Sequence, residues 1–130
     1  DVPEQEVNRY GILEISNQFG HKVTAKGVVE KPKPVDAPSN TAIIGRYILR
    51  TSIFESLGLK KQGAGGEIQL TDSLASSLDS NVPLTGFRFN GTRFDCGTKV
   101  GWLQANFTLA ASDPEVRPYL MSVINNLDAA

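Results

Sequence analysis

Three charged residues in this sequence stand where their types and spacing could do chemistry. Glu30 and Lys31 are adjacent, follow the apolar pair Val28-Val29 and are followed at once by Pro32. Pro32, Pro34 and Pro38 leave the next loop little freedom in φ. A stiff loop that holds a carboxylate beside an ammonium makes a binding edge. The third residue is Asp95, at the end of an extended piece and just before a predicted helix, the edge where α/β proteins place ligands. A hard cation such as Mg²⁺ takes oxygen ligands and keeps several waters, so one or two carboxylates plus substrate phosphates suffice to hold it. Each has a plainer explanation. Glu-Lys pairs before proline are commonly solvated loop charges, and Asp95 can simply cap the helix that starts near Thr98.

Composition removes several other chemistries. With one histidine and one cysteine, neither a zinc cluster nor a Cys–His nucleophile can be assembled. His21, beside a turn, is expected to be a satisfied surface imidazole. Lys and Arg number 13 against 14 Asp and Glu, a net charge of −1, which gives no electrostatic case for nucleic acid or an anionic membrane as partner. The apolar runs fall well short of the ~20 residues a membrane span needs, and no signal-peptide pattern opens the sequence. Cys96 has no partner for an internal disulfide, which suits a reducing compartment and a cytoplasmic location.

The elements that must position these residues alternate. Residues 10–15 are strand-like, 16–20 form a turn and 21–30 return as a second strand ending at Glu30. The run from Thr41 to Leu49 reads as a buried strand. Thr51 is placed to cap a short helix carrying Ile53, Phe54 and Leu57. Residues 60–66 are a glycine-rich connection, and 67–80 an amphipathic helix with Ile68, Thr71, Leu74, Ala75 and Leu78 on one stripe. Two extended pieces flank Asn90-Gly91, with Phe87, Phe89 and Phe94 alternating with Arg88 and Arg93. Thr98 caps a helix with Val100, Leu103, Phe107, Ala110 and Ala111 on its apolar face. Asp113-Pro114 opens a last one burying Val116, Leu120, Val123, Ile124 and Leu127. The pattern is α/β, with two terminal helices packed on a sheet or on another subunit.

The segment Val29-Glu-Lys-Pro-Lys-Pro34, continued by Ser39-Asn40 and Gly45-Arg-Tyr-Ile-Leu49, resembles the signature of bacterial UTP–glucose-1-phosphate uridylyltransferases, also called UDP-glucose pyrophosphorylases. Gly63-Ala-Gly-Gly-Glu-Ile-Gln-Leu-Thr-Asp72, Arg93-Phe-Asp-Cys-Gly97 and Lys99-Val-Gly-Trp-Leu-Gln104 are similar to later motifs of the same family, in the same order. The resemblance implies a Rossmann-like nucleotidyltransferase fold, a mixed sheet with C-terminal helices. It implies that residues 1–130 are the C-terminal, sugar-phosphate-binding portion of a single domain. The glycine-rich nucleotide loop and a first metal-binding aspartate would belong to an N-terminal half not included here, without which this portion is expected to be inactive.

The implied reaction is attack of the glucose 1-phosphate oxygen on the α-phosphorus of UTP, giving UDP-glucose and pyrophosphate. By the same resemblance Glu30 accepts hydroxyl hydrogen bonds from the hexose and Lys31 neutralises its phosphate. Asn40, Ile44 and Gly45 line the pocket and Asp95 holds Mg²⁺. The family's enzymes imply a homo-oligomer, dimer or tetramer. Thr92 departs from the pattern, since the family usually has lysine after the glycine there. Two alternatives stay open: a non-catalytic regulatory or sugar-nucleotide-binding paralogue, and a thymidylyl- or cytidylyltransferase of the same fold.

Overall fold

The computed structural model describes residues 1–59, 62–63 and 66–127, which fall into two units, Asp1–Phe89 and Asn90–Ala130. In the first, β1 (Gly11–Phe19) and β2 (Lys22–Glu30) form an antiparallel hairpin, and β3 (Leu84–Phe87) pairs with the first half of β2. Gly20, at φ +57, supplies the turn, a conformation that favours glycine. The expected turn over residues 16–20 is therefore shorter. Register shifts near Ile15 let β1 run on to Phe19.

The start of β1, residues 11–13, is buried on both faces because its neighbours alternate. Ile12 packs with Val2 and Val7 on one side, and Leu13 packs with Val23 and Ala25 on the other. Its free edge is covered by residues 41–43. The Leu13 N–H donates to the Thr41 carbonyl at 2.9 Å and the Ile43 N–H to the Gly11 carbonyl at 2.8 Å. Helix α1 (Ile53–Gly58) contacts α2 (Leu70–Asp79), which packs on β2.

The structure differs from expectation at several places. The run from Thr41 to Leu49 is not a buried strand: it makes one bridge, Ala42 to Ile12, and is exposed from Gly45 onward, Ile48 fully so. Gly45 at φ +85 breaks the extended geometry. The sheet is antiparallel throughout, with strand order β1-β2-β3, rather than mixed. The side chains around Arg88 face the opposite way from the pattern. Gly86 lies against Val23, so period two carries Arg88 inward, where it pairs with Asp1 and donates to Thr41 Oγ1 at 2.8 Å. Phe87 and Phe89 are left exposed. Only residues 84–87 of the two extended pieces form a strand, and α1 begins after Ser52 with no side-chain cap from it. Most of the glycine-rich connection, residues 60, 61, 64 and 65, lies outside the described residues.

In the second unit, α3 (Lys99–Ser112) and α4 (Arg117–Leu127) contact one another. Both helices fall close to where the sequence places them. Their apolar faces are not buried, however: Val100, Leu103, Phe107, Val123 and Leu127 are all exposed. Two helices make a single layer, which leaves an apolar stripe on each uncovered. Among the described residues no helix is long and apolar enough to cross a membrane.

Ile12, with no exposed surface, should be the most costly aliphatic residue to truncate. Ile12→Ala is expected to lower unfolding free energy by about 2–5 kcal/mol, whereas Ile48→Ala should change it by less than about 0.5 kcal/mol. Urea unfolding of the two variants checks this.

Candidate functional site

The register of the hairpin sets Glu30, the last residue of β2, opposite Gly11, the first of β1. The Glu30 side chain is only 10% exposed. It lies over Gly11, where an added Cβ would stand 3.1 Å from Glu30 Oε2 and 3.0 Å from both Oγ1 and Cγ2 of Thr71. Gly11 thus permits a close approach that any other residue would crowd. Thr71 reaches the spot from the first turn of α2.

Lys31 follows at φ +46, a left-handed conformation that costs a non-glycine residue roughly 1–3 kcal/mol. Its N–H donates to the Tyr10 carbonyl at 2.9 Å, and buried Pro32 comes next, which together hold the corner. The corner returns the ammonium to 3.8 Å from Glu30 Oε1. That is an ion pair beyond hydrogen-bond range, so the ammonium keeps its donors for another acceptor.

The bond from Ile43 to the Gly11 carbonyl carries half-buried Ile44 and exposed Gly45 toward this end of β1. No atom approaches within 4 Å of a Cβ built on Gly45, so its backbone borders open space. Tyr47 follows. Its residue surface is 45% exposed, yet partial burial, with the Glu30 charge adding to it, raises the phenol above its ordinary value of 10.0. Asn40 lies elsewhere. Its carbonyl accepts the Val2 N–H at 2.9 Å, beyond the Thr41–Leu13 pairing from Ile43. The structure therefore gathers Glu30, Lys31, Ile44 and Gly45 at one end of the hairpin and holds Asn40 toward the other.

Asp95 belongs to the second unit. Its Oδ1 accepts the Gly97 N–H at 3.2 Å, and its carbonyl accepts the Thr98 hydroxyl at 3.1 Å. Thr98 itself caps α3, accepting the Gly101 N–H at 3.0 Å. A Cβ on Gly101 would lie 2.1 Å from the Asp95 carbonyl oxygen, so glycine there lets the helix close on this loop. Capping is the work of Thr98, and the Asp95 carboxylate instead shapes an Asx turn. Among the described residues no three His, Cys, Asp or Glu side chains cluster around a common point. His21 is satisfied as expected, its Nδ1 2.8 Å from the Arg88 carbonyl and its ring stacked on Phe87.

Sequence reasoning missed Gly11 and Tyr47, and it assigned Thr71 to the apolar stripe of its helix. A glycine within a strand signals close approach, but the register that sets it against Glu30 is a tertiary fact.

This strand, corner and helix arrangement is an α/β nucleotidyltransferase fold. The nucleotidyl transferase family model matches residues 1–112, and the chain belongs to that family. Within it, the chain is 41% identical over 126 residues to the UTP–glucose-1-phosphate uridylyltransferase of Komagataeibacter xylinus, covering 97% of this chain and 43% of that protein. It is 42% identical over 127 residues to the enzyme of the same name from Staphylococcus haemolyticus, covering 98% and 44%. A crystal structure of UDP-glucose pyrophosphorylase complexed with UDP-glucose superposes with a TM-score of 0.80 at 38% identity, over 86% of this chain and 42% of that one. The UTP-bound enzyme from Acinetobacter baumannii superposes at 0.78 with 33% identity, over 97% and 43%. The chain spans less than half the length of these relatives.

Tyr47 gives a direct test of the corner. Tyr47 should titrate above the ordinary phenol value by absorbance. Tyr47→Phe should remove that component and Glu30→Gln should lower it. A phenol raised by folding contributes stability below its unfolded value, and that contribution is lost as pH rises through the folded one. The loss above pH 10 should therefore be smaller in Tyr47→Phe.

Proposed function

We propose that this chain supplies the sugar-phosphate site of a UTP–glucose-1-phosphate uridylyltransferase, as the C-terminal portion of a single nucleotidyltransferase domain. The observation that carries the reading is the nearly buried Glu30 carboxylate with the Lys31 ammonium 3.8 Å beside it, on a corner held in a strained conformation. Backbone strain of this kind persists where the surrounding structure fixes it and clusters at ligand sites. Glu30 accepts hydroxyl groups of the hexose through charge-assisted hydrogen bonds. Lys31 lies over the sugar phosphate and reduces the repulsion between that anion and the triphosphate. Ile44 and the open backbone of Gly45 border the sugar.

Asp95 offers one carboxylate to a divalent cation, Mg²⁺, which when bound offsets the charge on the reacting phosphates. A single carboxylate with phosphate oxygens and water fits the habits of that ion. Asp95 Oδ1 already accepts one N–H, which fixes the direction of the group. No covalent intermediate is needed, so these residues act by position and charge. The exposed apolar stripes of α3 and α4 support a homo-oligomer, dimer or tetramer, and the free thiol of Cys96 suits the cytoplasm.

The full-length protein, given UTP, glucose 1-phosphate and Mg²⁺, should release pyrophosphate, and faster than with dTTP or CTP. Glu30→Gln is expected to raise KM for glucose 1-phosphate about 10- to 100-fold. Asp95→Asn should weaken the dependence on Mg²⁺ concentration. UDP-glucose binding without pyrophosphate release would instead make the protein a non-catalytic paralogue.

A further inference from the structure

We propose that Arg88 is a positioning residue for the sugar site: it pins the register of residues 41–45 against β1 and so fixes where Ile44 and Gly45 stand. The inference rests on Ile44 and Gly45 as borders of the sugar and adds the remote group that holds them there.

Backbone bonds alone do not choose that register. Residues 41–43 meet β1 through two of them, from the Leu13 N–H to the Thr41 carbonyl and from the Ile43 N–H to the Gly11 carbonyl. An antiparallel ladder repeats every second residue, so a slip of two re-forms such bonds with each side chain on its original face. The same slip moves Ile44 and Gly45 about 7 Å along β1 and off the Glu30–Lys31 corner. Side chains must therefore decide. Ile43 contributes by packing against the cluster of Leu13, Val23 and Ala25, and the Ser39 hydroxyl by donating to the Leu13 carbonyl at 2.7 Å.

Thr41 carries the pin that reaches another part of the fold. Its hydroxyl, in a residue only 6% exposed, donates to Asp1 Oδ1 at 2.9 Å and accepts from Arg88 Nη2 at 2.8 Å. Arg88 Nη1 pairs with the Asp1 carboxylate, so the planar fork engages a carboxylate and a hydroxyl together. The backbone of Arg88 is fixed in turn. Its N–H donates to the His21 carbonyl at 2.8 Å, and its own carbonyl lies 2.8 Å from His21 Nδ1. A slip of two sets Ile43 or Ser39 in the place of Thr41. Isoleucine offers the fork no acceptor, and moving Ser39 gives up its bond to Leu13. Arg88 Nε is buried and, among the described residues, has no hydrogen-bond partner, so the guanidinium is held at a cost. An apolar side chain of similar length relieves that cost, and Asp1, 47% exposed, regains water. Replacing Arg88 should thus loosen the register while changing folding stability little.

The test uses the full-length protein with Arg88→Met, with Thr41→Val, and with the two together. Each single variant should raise KM for glucose 1-phosphate about tenfold, with KM for UTP and the melting temperature close to wild type. The double variant should be no worse than either single one, because both remove the same contact. Should Arg88→Met fail to fold, Thr41→Val against Thr41→Ser, which keeps the hydroxyl and should stay close to wild type, carries the test. An unchanged KM for glucose 1-phosphate would overturn the inference and leave the uridylyltransferase reading standing. So would an equal rise in both KM values with a lower melting temperature, losses that multiply in the double variant, or an equal loss in Thr41→Ser. If the wild-type protein releases no pyrophosphate, that reading fails. Amide hydrogen exchange at Leu13 and Ile43 then decides on Arg88: faster exchange in Arg88→Met supports the pin, and unchanged exchange overturns it.

Discussion

The pairing of Gly11 with Glu30 is the constraint on which the first unit depends. The start of β1, residues 11–13, is hydrogen-bonded on both edges, to β2 on one side and to residues 41–43 on the other, and it is buried on both faces. A one-residue slip would turn Ile12 and Leu13 to the wrong sides, so burial fixes the register. Once the register is fixed, Glu30 can stand only opposite Gly11. A glycine at that point lets the carboxylate lie down on the strand, where α2 brings Thr71 to meet it. Packing, not the local sequence, aims this carboxylate.

Strain enters at the next residue. A lysine in a left-handed conformation is unfavourable by itself, and the N–H bond to Tyr10 and the burial of Pro32 hold it there. The consequence is electrostatic. The ammonium is brought beside the carboxylate without closing a hydrogen bond to it. The same corner places a negative charge near Tyr47, which adds to the larger effect of burial in raising the phenol.

Local contacts organise the loop at Asp95. Its carboxylate, its carbonyl, the Thr98 cap and the bare α-carbon of Gly101 form one short loop at the start of α3. The segment from Asp95 to Gly101 needs every one of these groups at its spacing, which is why it could be recognised as a motif.

The sequence by itself determined what depends on neighbours along the chain. The hairpin, the α2 helix, the Thr98 cap, the two terminal helices and the acid–base corner at Glu30–Lys31 all follow from short-range patterning, turn chemistry and motif order. Tertiary structure decided the rest. Residues 41–49 have the composition of a buried strand, yet a strand needs a partner along its length, and only Ala42 finds one. Arg88 reads as outward-facing, yet the register of β3 on β2 turns it inward to Asp1 and Thr41. Asn40 has its carbonyl engaged by the Val2 N–H, a contact between residues far apart in the sequence. Gly11 and Thr71 lie close together only because strand register and helix packing bring together residues that are sixty positions apart, a relation to which no local pattern has access.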